Sequence, residues 1–249
     1  MDARIALVKN FERIDATWLA AHPEVKVLAV PQTCPDNVDE VACEQAGVRV
    51  VTLQGERAFL DSITSTAEHT FGLILALARN YKAALCWGKR TEGHKLAGKT
   101  LGIVGIKGRI GQQMKRIAKG FGMKVIGTDK DGRGLLKLLK ESDIVTVHIS
   151  LAGNEGFWKL THFKQMKRTA FFVNTSRTNI MEKGALLQAL EEGLIAGASL
   201  DFVDDEELRE YENSNDNLVL SPHIGGNTVE DRLLTDEFII NKAQKCLLN

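Results

Sequence analysis

Residues 98–129 constrain this chain more than any other stretch. A short apolar run rich in β-formers, Thr100 to Val104, ends at Gly105. Glycines follow at 108 and 111, and Ile110, Met114, Ile117, Ala118 and Phe121 then recur at helical spacing. A second apolar run, Met123 to Ile126, leads to Asp129, eighteen positions beyond Gly111. Strand, glycine turn, helix, strand and acid, in that order, describe a dinucleotide-binding βαβ unit. The glycines let the backbone approach a pyrophosphate, whose charge rests on amides at a helix N-terminus. The Asp129 carboxylate suits a ribose 2′-hydroxyl and repels a 2′-phosphate, which points to NAD. The three glycines read GxxGxxG where the usual turn is GxGxxG. We therefore expect a turn enlarged by one residue, with Gly105 making the tight bend and Lys107 adding positive charge near the pyrophosphate.

Elements on both sides of this unit alternate between strand and helix. Upstream, residues 3–9 read as a strand, Asp15 caps a short helix ending near His22-Pro23, and VKVLAV at 25–30 is a buried strand. A helix over 37–46 is stopped by Gly47, and VRVVTL forms a third strand. The stripe Ala67, Phe71, Ile74, Leu75, Ala78, Tyr81 and Leu85 predicts one long helix between Asp61 and Trp87, with a polar linker at 88–99. Downstream come a helix (132–141), a strand (143–148), a short helix (161–167), a strand (170–174), a helix (182–192) and a strand (195–202). An acidic loop and helix follow, then a last strand running to Pro222. The helix 228–248 is expected to turn Leu233, Leu234, Phe238, Ile239, Ala243 and Cys246 inward. Such alternation gives an α/β fold with a doubly wound parallel (Rossmann) sheet. The expected division is a nucleotide-binding domain over 80–225 and a smaller domain made of 1–79 and 226–249.

Charge and composition narrow the function classes. The 249 residues carry 32 basic and 32 acidic side chains, so no basic field argues for nucleic acid or an anionic membrane surface. The apolar run from Phe71 to Ala78 is too short to cross a bilayer, and the N-terminus lacks a signal-peptide pattern. Four scattered cysteines, Cys34, Cys43, Cys86 and Cys246, show no metal-ligand spacing. They read as free thiols, so no metal site and a cytoplasmic location are expected.

Ligands of such sheets lie beyond the carboxyl ends of the strands. The polar residues there are His148, Arg177, Asp201 with Glu206, and His223. A strand-end histidine is often structural, Arg177 alone could be a surface ion pair, and residues 204–207 alone a solvated face. Together, Arg, Glu and His on successive strand ends of one nucleotide-binding sheet suggest catalysis.

Several motifs resemble those of the D-isomer-specific 2-hydroxyacid dehydrogenases. TAEHTFGLILALAR at 66–79 is similar to that family's interdomain helix, and LAGKTLGIVGIKGRIG to its glycine fingerprint. SDIVTVHISL resembles its strand ending in His-x-Pro-Leu, with Ser150 at the proline position. VNTSRTNIMEKGALLQALEEGLIAGASLDFVDDE resembles its long signature, and SPHIGGNT its histidine motif. The resemblance implies a flavodoxin-like substrate domain, shortened here at its N-terminus, and an oxidoreductase that interconverts small 2-oxo and 2-hydroxy acids. It assigns Arg177 to the substrate, His223 to general acid–base work and Glu206 to the carboxylate beside that histidine. It assigns Gly105, Gly108, Arg109, Ile110, Gly111, Asp129, His148, Thr175, Ser176, Asp201, Gly225 and Gly226 to NAD. A homodimer is implied too. The family's Gly-Val-Gly loop is replaced by Gln32-Thr33-Cys34-Pro35, where proline lacks an amide hydrogen, and Thr178 stands where glycine is usual. An NAD(H)-binding sensor resembling the family's corepressors is the alternative; formate or phosphite oxidation is a third reading.

The chemistry agrees with those roles. Reducing a 2-oxo acid needs hydride at the carbonyl carbon and a proton at its oxygen, which a protonated His223 supplies. A carboxylate beside an imidazole favours the protonated form. Arg177 offers a planar, permanently charged fork to the substrate carboxylate.

Overall fold

The computed structural model describes residues 4–8, 12–129, 132–201 and 203–248. The expected strand ends at Ala3, Lys9 and Phe202 lie outside these residues. The chain forms two compact units, Met1–Ile63 with Thr228–Asn249, and Thr64–Asn227. The helix that begins at Ser65 thus belongs to the second unit, whereas the boundary at 79 read from the sequence put it with the first.

In the first unit, strands β1 (Ile5–Leu7), β2 (Val27–Val30) and β3 (Arg49–Thr52) run parallel in that order. Helix α1 (Ala16–Ala21) connects β1 to β2, and α2 (Glu40–Gln45) connects β2 to β3, followed by α3 (Arg57–Leu60). Asp15 caps α1 by accepting from the amides of Thr17 and Trp18, and Asp39 caps α2 through the Ala42 amide. All four β2 residues are buried and alternate between two cores, as a covered central strand requires. Leu28 and Val30 pack with Ile14, Leu19 and Cys43. Val27 and Ala29 pack with Leu60 and with Ile239 and Ala243 of the C-terminal helix α10 (Val229–Leu248). Leu233 and Leu234, expected to face inward, are 65% and 48% exposed. The reason is length. Twenty helical residues span about 30 Å, and strands of four residues cover roughly 13 Å, so α10 outruns the sheet.

The second unit opens with α4 (Ser65–Ala78), then a π-helical turn (Lys82–Cys86). The one long helix expected over 61–87 is broken at Asn80, whose φ is +51°. Its side chain donates to the Glu92 carbonyl, and the Ala78 carbonyl accepts from the His94 amide, so the following segment folds back on the helix end. Tyr81 and Leu85, read as part of the buried stripe, are exposed. Next come β4 (Thr100–Val104), α5 (Arg109–Gly120), β5 (Lys124–Thr128), α6 (Leu135–Glu141), β6 (Ile144–Val147), α7 (Leu160–Phe163), β7 (Phe171–Asn174) and a 3₁₀ turn (Thr178–Ile180). They are followed by α8 (Ala185–Glu191), β8 (Gly197–Leu200), α9 (Glu206–Ser214) and β9 (Leu218–Leu220). The six strands are parallel in the order β5-β4-β6-β7-β8-β9. One face carries α4 and α5 through Phe71, Ile74 and Met114; the other carries α6 to α8 through Leu139, Phe163 and Leu186. The expected doubly wound sheet is present, and its strand order reverses between β4 and β6.

Candidate functional site

The glycine turn closes over four residues. Gly105 has φ +90°, and a Cβ there would stand 2.5 Å from the His148 carbonyl oxygen. The Gly108 amide donates to the Gly105 carbonyl at 3.0 Å, and α5 starts at Arg109. A Cβ on Gly111 would press into that same carbonyl, so helix and turn meet backbone to backbone. Ile106 fills the space above Gly127 of β5, where a Cβ would also collide. The extra residue is therefore absorbed in the turn. Lys107 meets the acid at the end of β5: its amide donates to Asp129 Oδ1 at 3.1 Å, and its Nζ lies 3.1 Å from Asp129 Oδ2. The longer turn brings this peptide against the end of β5, so the charge falls on the expected ribose acid.

Arg109, Ile110 and Gly111 form the first turn of α5, where amides lack intrahelical acceptors. His148 follows β6 at the point where the strand order reverses, which is where such sheets take ligands. Its Nε2 is buried and has no hydrogen-bond partner among the described residues. Burial holds the imidazole down at a pKa of about 3, so it is neutral near pH 7. Glycines with no room for a side chain, a half-buried first helical turn, an acid after β5 and one orphaned buried nitrogen fit a dinucleotide in kind.

After β7 the backbone is pinned by its own side chains. Asn174 accepts from the Ser176 amide and donates to the Arg177 carbonyl, while Ser176 Oγ donates to the Val147 carbonyl. Thr175 Oγ1 shares a 2.8 Å hydrogen bond with Thr70 Oγ1 of α4. Arg177 is half-buried, and its Nη1 donates to the Ser176 carbonyl. The hydroxyls of Thr175 and Ser176, two residues assigned to the cofactor, thus bond within the protein.

Asp201, just after β8, is the centre of the tightest cluster. It is buried, and its Oδ1 accepts from Ser221 Oγ (2.6 Å) and the Ile224 amide (3.0 Å), its Oδ2 from the Gly225 amide (2.7 Å). Its backbone carbonyl accepts from the His223 amide at 2.6 Å. Burial pushes this carboxyl up, but hydrogen bonds from His69 and Ser221, the His69 charge and the Ile224 amide outweigh it, leaving Asp201 below the usual carboxylate range. The loop it grips holds His223 at φ +56°, rarely adopted by a residue with a side chain. A Cβ on Gly225 would stand 2.5 Å from Asp201 Oδ2; Gly226 is exposed.

Asp201, His223 and Gly225 are therefore brought together. Glu206 is exposed in the first turn of α9, on a surface cleft it lines with Asp205, Asn179, Glu182 and Lys183. Sequence reasoning missed two residues. His69 and Thr70 lie on α4, read there as an apolar stripe, yet they reach Asp201, Ser221 and Thr175. A polar pair inside an otherwise buried helix was the available signal. Among the described residues no group of three or more His, Cys, Asp or Glu could hold a metal ion.

Comparison with known proteins places these features. Residues 71–225 match the model of the D-isomer specific 2-hydroxyacid dehydrogenase NAD binding domain. The glyoxylate reductase of Aeropyrum pernix is 36% identical over 251 residues, covering 89% of this chain and 73% of that protein. The glycerate dehydrogenase of Methylorubrum extorquens is 31% identical, covering 96% and 81%. The pyruvate reductase of Chlamydomonas reinhardtii superposes with a TM-score of 0.79 at 30% identity, covering 98% of this chain and 84% of that one.

Proposed function

Because the chain belongs to the D-isomer specific 2-hydroxyacid dehydrogenases, we propose that it transfers a hydride between NAD(H) and a small 2-hydroxy or 2-oxo acid. The observation that carries this reading is the line of Arg177, Asp201 and His223 along successive strand ends of the sheet that also holds the glycine turn. When bound, NADH supplies the hydride. The chain's own residues do the rest. The first turn of α5 receives the pyrophosphate, and Asp129 the ribose. Arg177 holds the substrate carboxylate in a bidentate grip and orients its carbonyl. His223 donates a proton to the carbonyl oxygen in reduction and removes it in oxidation, with Glu206 as its carboxylate partner.

Oxidation of NADH in the presence of glyoxylate, hydroxypyruvate or pyruvate tests the reading. Turnover with at least one is expected; silence across the panel, with NADH binding intact, would leave a dinucleotide-binding protein without this activity. His223→Ala is expected to lower turnover by roughly 10²–10⁴, and wild-type turnover would remove His223 from the mechanism.

We also propose a cytoplasmic homodimer. Exposed Tyr81, Leu85 and Trp87 support the pairing, and no helix among the described residues is long and apolar enough to cross a membrane.

A further inference from the structure

His69, near the N-terminal end of α4, has been given no role so far. Its Nε2 lies 2.9 Å from Ser221 Oγ and 3.1 Å from Asp201 Oδ1, and Ser221 Oγ itself donates to that Oδ1 at 2.6 Å. The three side chains come from α4 and from the residues just after β8 and β9, so one imidazole closes a triangle across three segments. The ring is largely shielded and Asp201 is buried, which makes these contacts stronger than surface ones. Distances of 2.9 and 3.1 Å require the hydrogen to be on Nε2, since both partners face that nitrogen and Asp201 can only accept.

Asp201 is not a bystander. Its carboxylate takes the Ile224 and Gly225 amides and its carbonyl takes the His223 amide. The position of the His223 ring therefore depends on where the Asp201 carboxylate points. The backbone around His223 has left-handed φ, which a loop keeps only if its surroundings over-determine it. A Cβ at Gly225 would come within 3.3 Å of His69 Cδ2, so the imidazole also packs directly on this loop.

We propose that His69 is a positioning residue for the reaction: it fixes the Asp201 carboxylate and the Ser221 hydroxyl, and through them the loop that presents His223. It acts on the proton-transfer geometry and touches neither the substrate nor the glycine turn. Loss of its donor lets Asp201 rotate, and the His223 ring then stands off line by a fraction of an ångström to an ångström. Misplacement on that scale costs up to about 10²-fold in rate.

The inference rests on His223 being the proton donor, and the experiment separates the two. His69→Leu keeps bulk without a donor; His69→Gln keeps a nitrogen donor; His223→Ala removes the acid itself. Each variant is compared with the wild type for kcat and KM on the active 2-oxo acid, for NADH affinity by fluorescence titration, and for thermal midpoint. The expected result is a fall of roughly 10–10² in kcat for His69→Leu, a smaller change in NADH affinity than in kcat, and recovery of most of the loss in His69→Gln. If His69→Leu does not fold, His69→Asn, polar but too short to reach, takes its place with the same expectation. Wild-type kcat in the Leu or Asn variant overturns the proposal, as does a Gln variant no better than Leu. Wild-type kcat in His223→Ala overturns the underlying reading instead.

Discussion

His148 and Asp201 both make the second unit sensitive to acid, in different windows. The His148 pKa is about 3 in the fold against an ordinary 6.5, so between those values the unfolded chain binds the proton and the fold does not. Stability is therefore lost as pH drops below 6.5, by at most about 1.4 kcal/mol per pH unit. Denaturant titration of the wild type is expected to show this loss between pH 7 and 5, and His148→Leu to reduce it; an identical loss in both would contradict the buried, neutral ring. Asp201 has a lowered pKa, so its contribution is present above the ordinary carboxylate value and disappears only as pH falls through the folded one. Lys107 is expected to act on cofactor choice. Its ammonium offsets the Asp129 charge that a 2′-phosphate would meet. Pairs this exposed contribute little, so Lys107→Ala is expected to weaken NADPH relative to NADH by no more than about fivefold. Calorimetry with both cofactors checks it, and a ratio moving the other way would detach Lys107 from cofactor choice.

The glycine turn shows how an element tolerates an insertion at one place and not at another. Four residues, Gly105 to Gly108, close the bend, and Ile106 covers Gly127, so the extra residue leaves the β4–β5 pairing intact. Gly111 has no such freedom. A methyl there would meet the Gly105 carbonyl and lie 2.8 Å from Ile106 Cα, both backbone. Gly111→Ala is expected to lower stability by roughly 1–3 kcal/mol and to weaken NADH binding, whereas Gly120→Ala, with open space around it, serves as the neutral control. Thermal melts and NADH titration of both variants decide this; equal behaviour would mean that helix and turn are not in close contact. Helix α4 was legible as a helix from its apolar spacing, but its end was not. Asn80 gives only a weak local signal, and the contacts that stop the helix come from Glu92 and His94, more than ten residues on.

For the whole molecule, the two units divide at Ile63/Thr64 and Asn227/Thr228. The proposed dimer puts the exposed Tyr81, Leu85 and Trp87 in contact with a second copy. Light scattering is expected to give twice the mass of 27.4 kDa, with Leu85→Glu shifting it toward the monomer; a monomeric wild type ends that proposal. The sequence by itself determined the order of strands and helices, the parallel sheet, the glycine turn, its acid and the strand-end residues. Those features are local, set by residue spacing of two or 3.6 and by turn chemistry. Only the tertiary structure decided which side chains meet. Lys107 on Asp129, Thr70 on Thr175, and His69 on Asp201 and Ser221 join residues 22 to 152 positions apart. The burial of the His148 ring and the exposure of Leu233 and Leu234 are likewise set by what packs beside them. Periodicity states which face of an element is apolar; the length and reach of its neighbours decide how much of that face is covered.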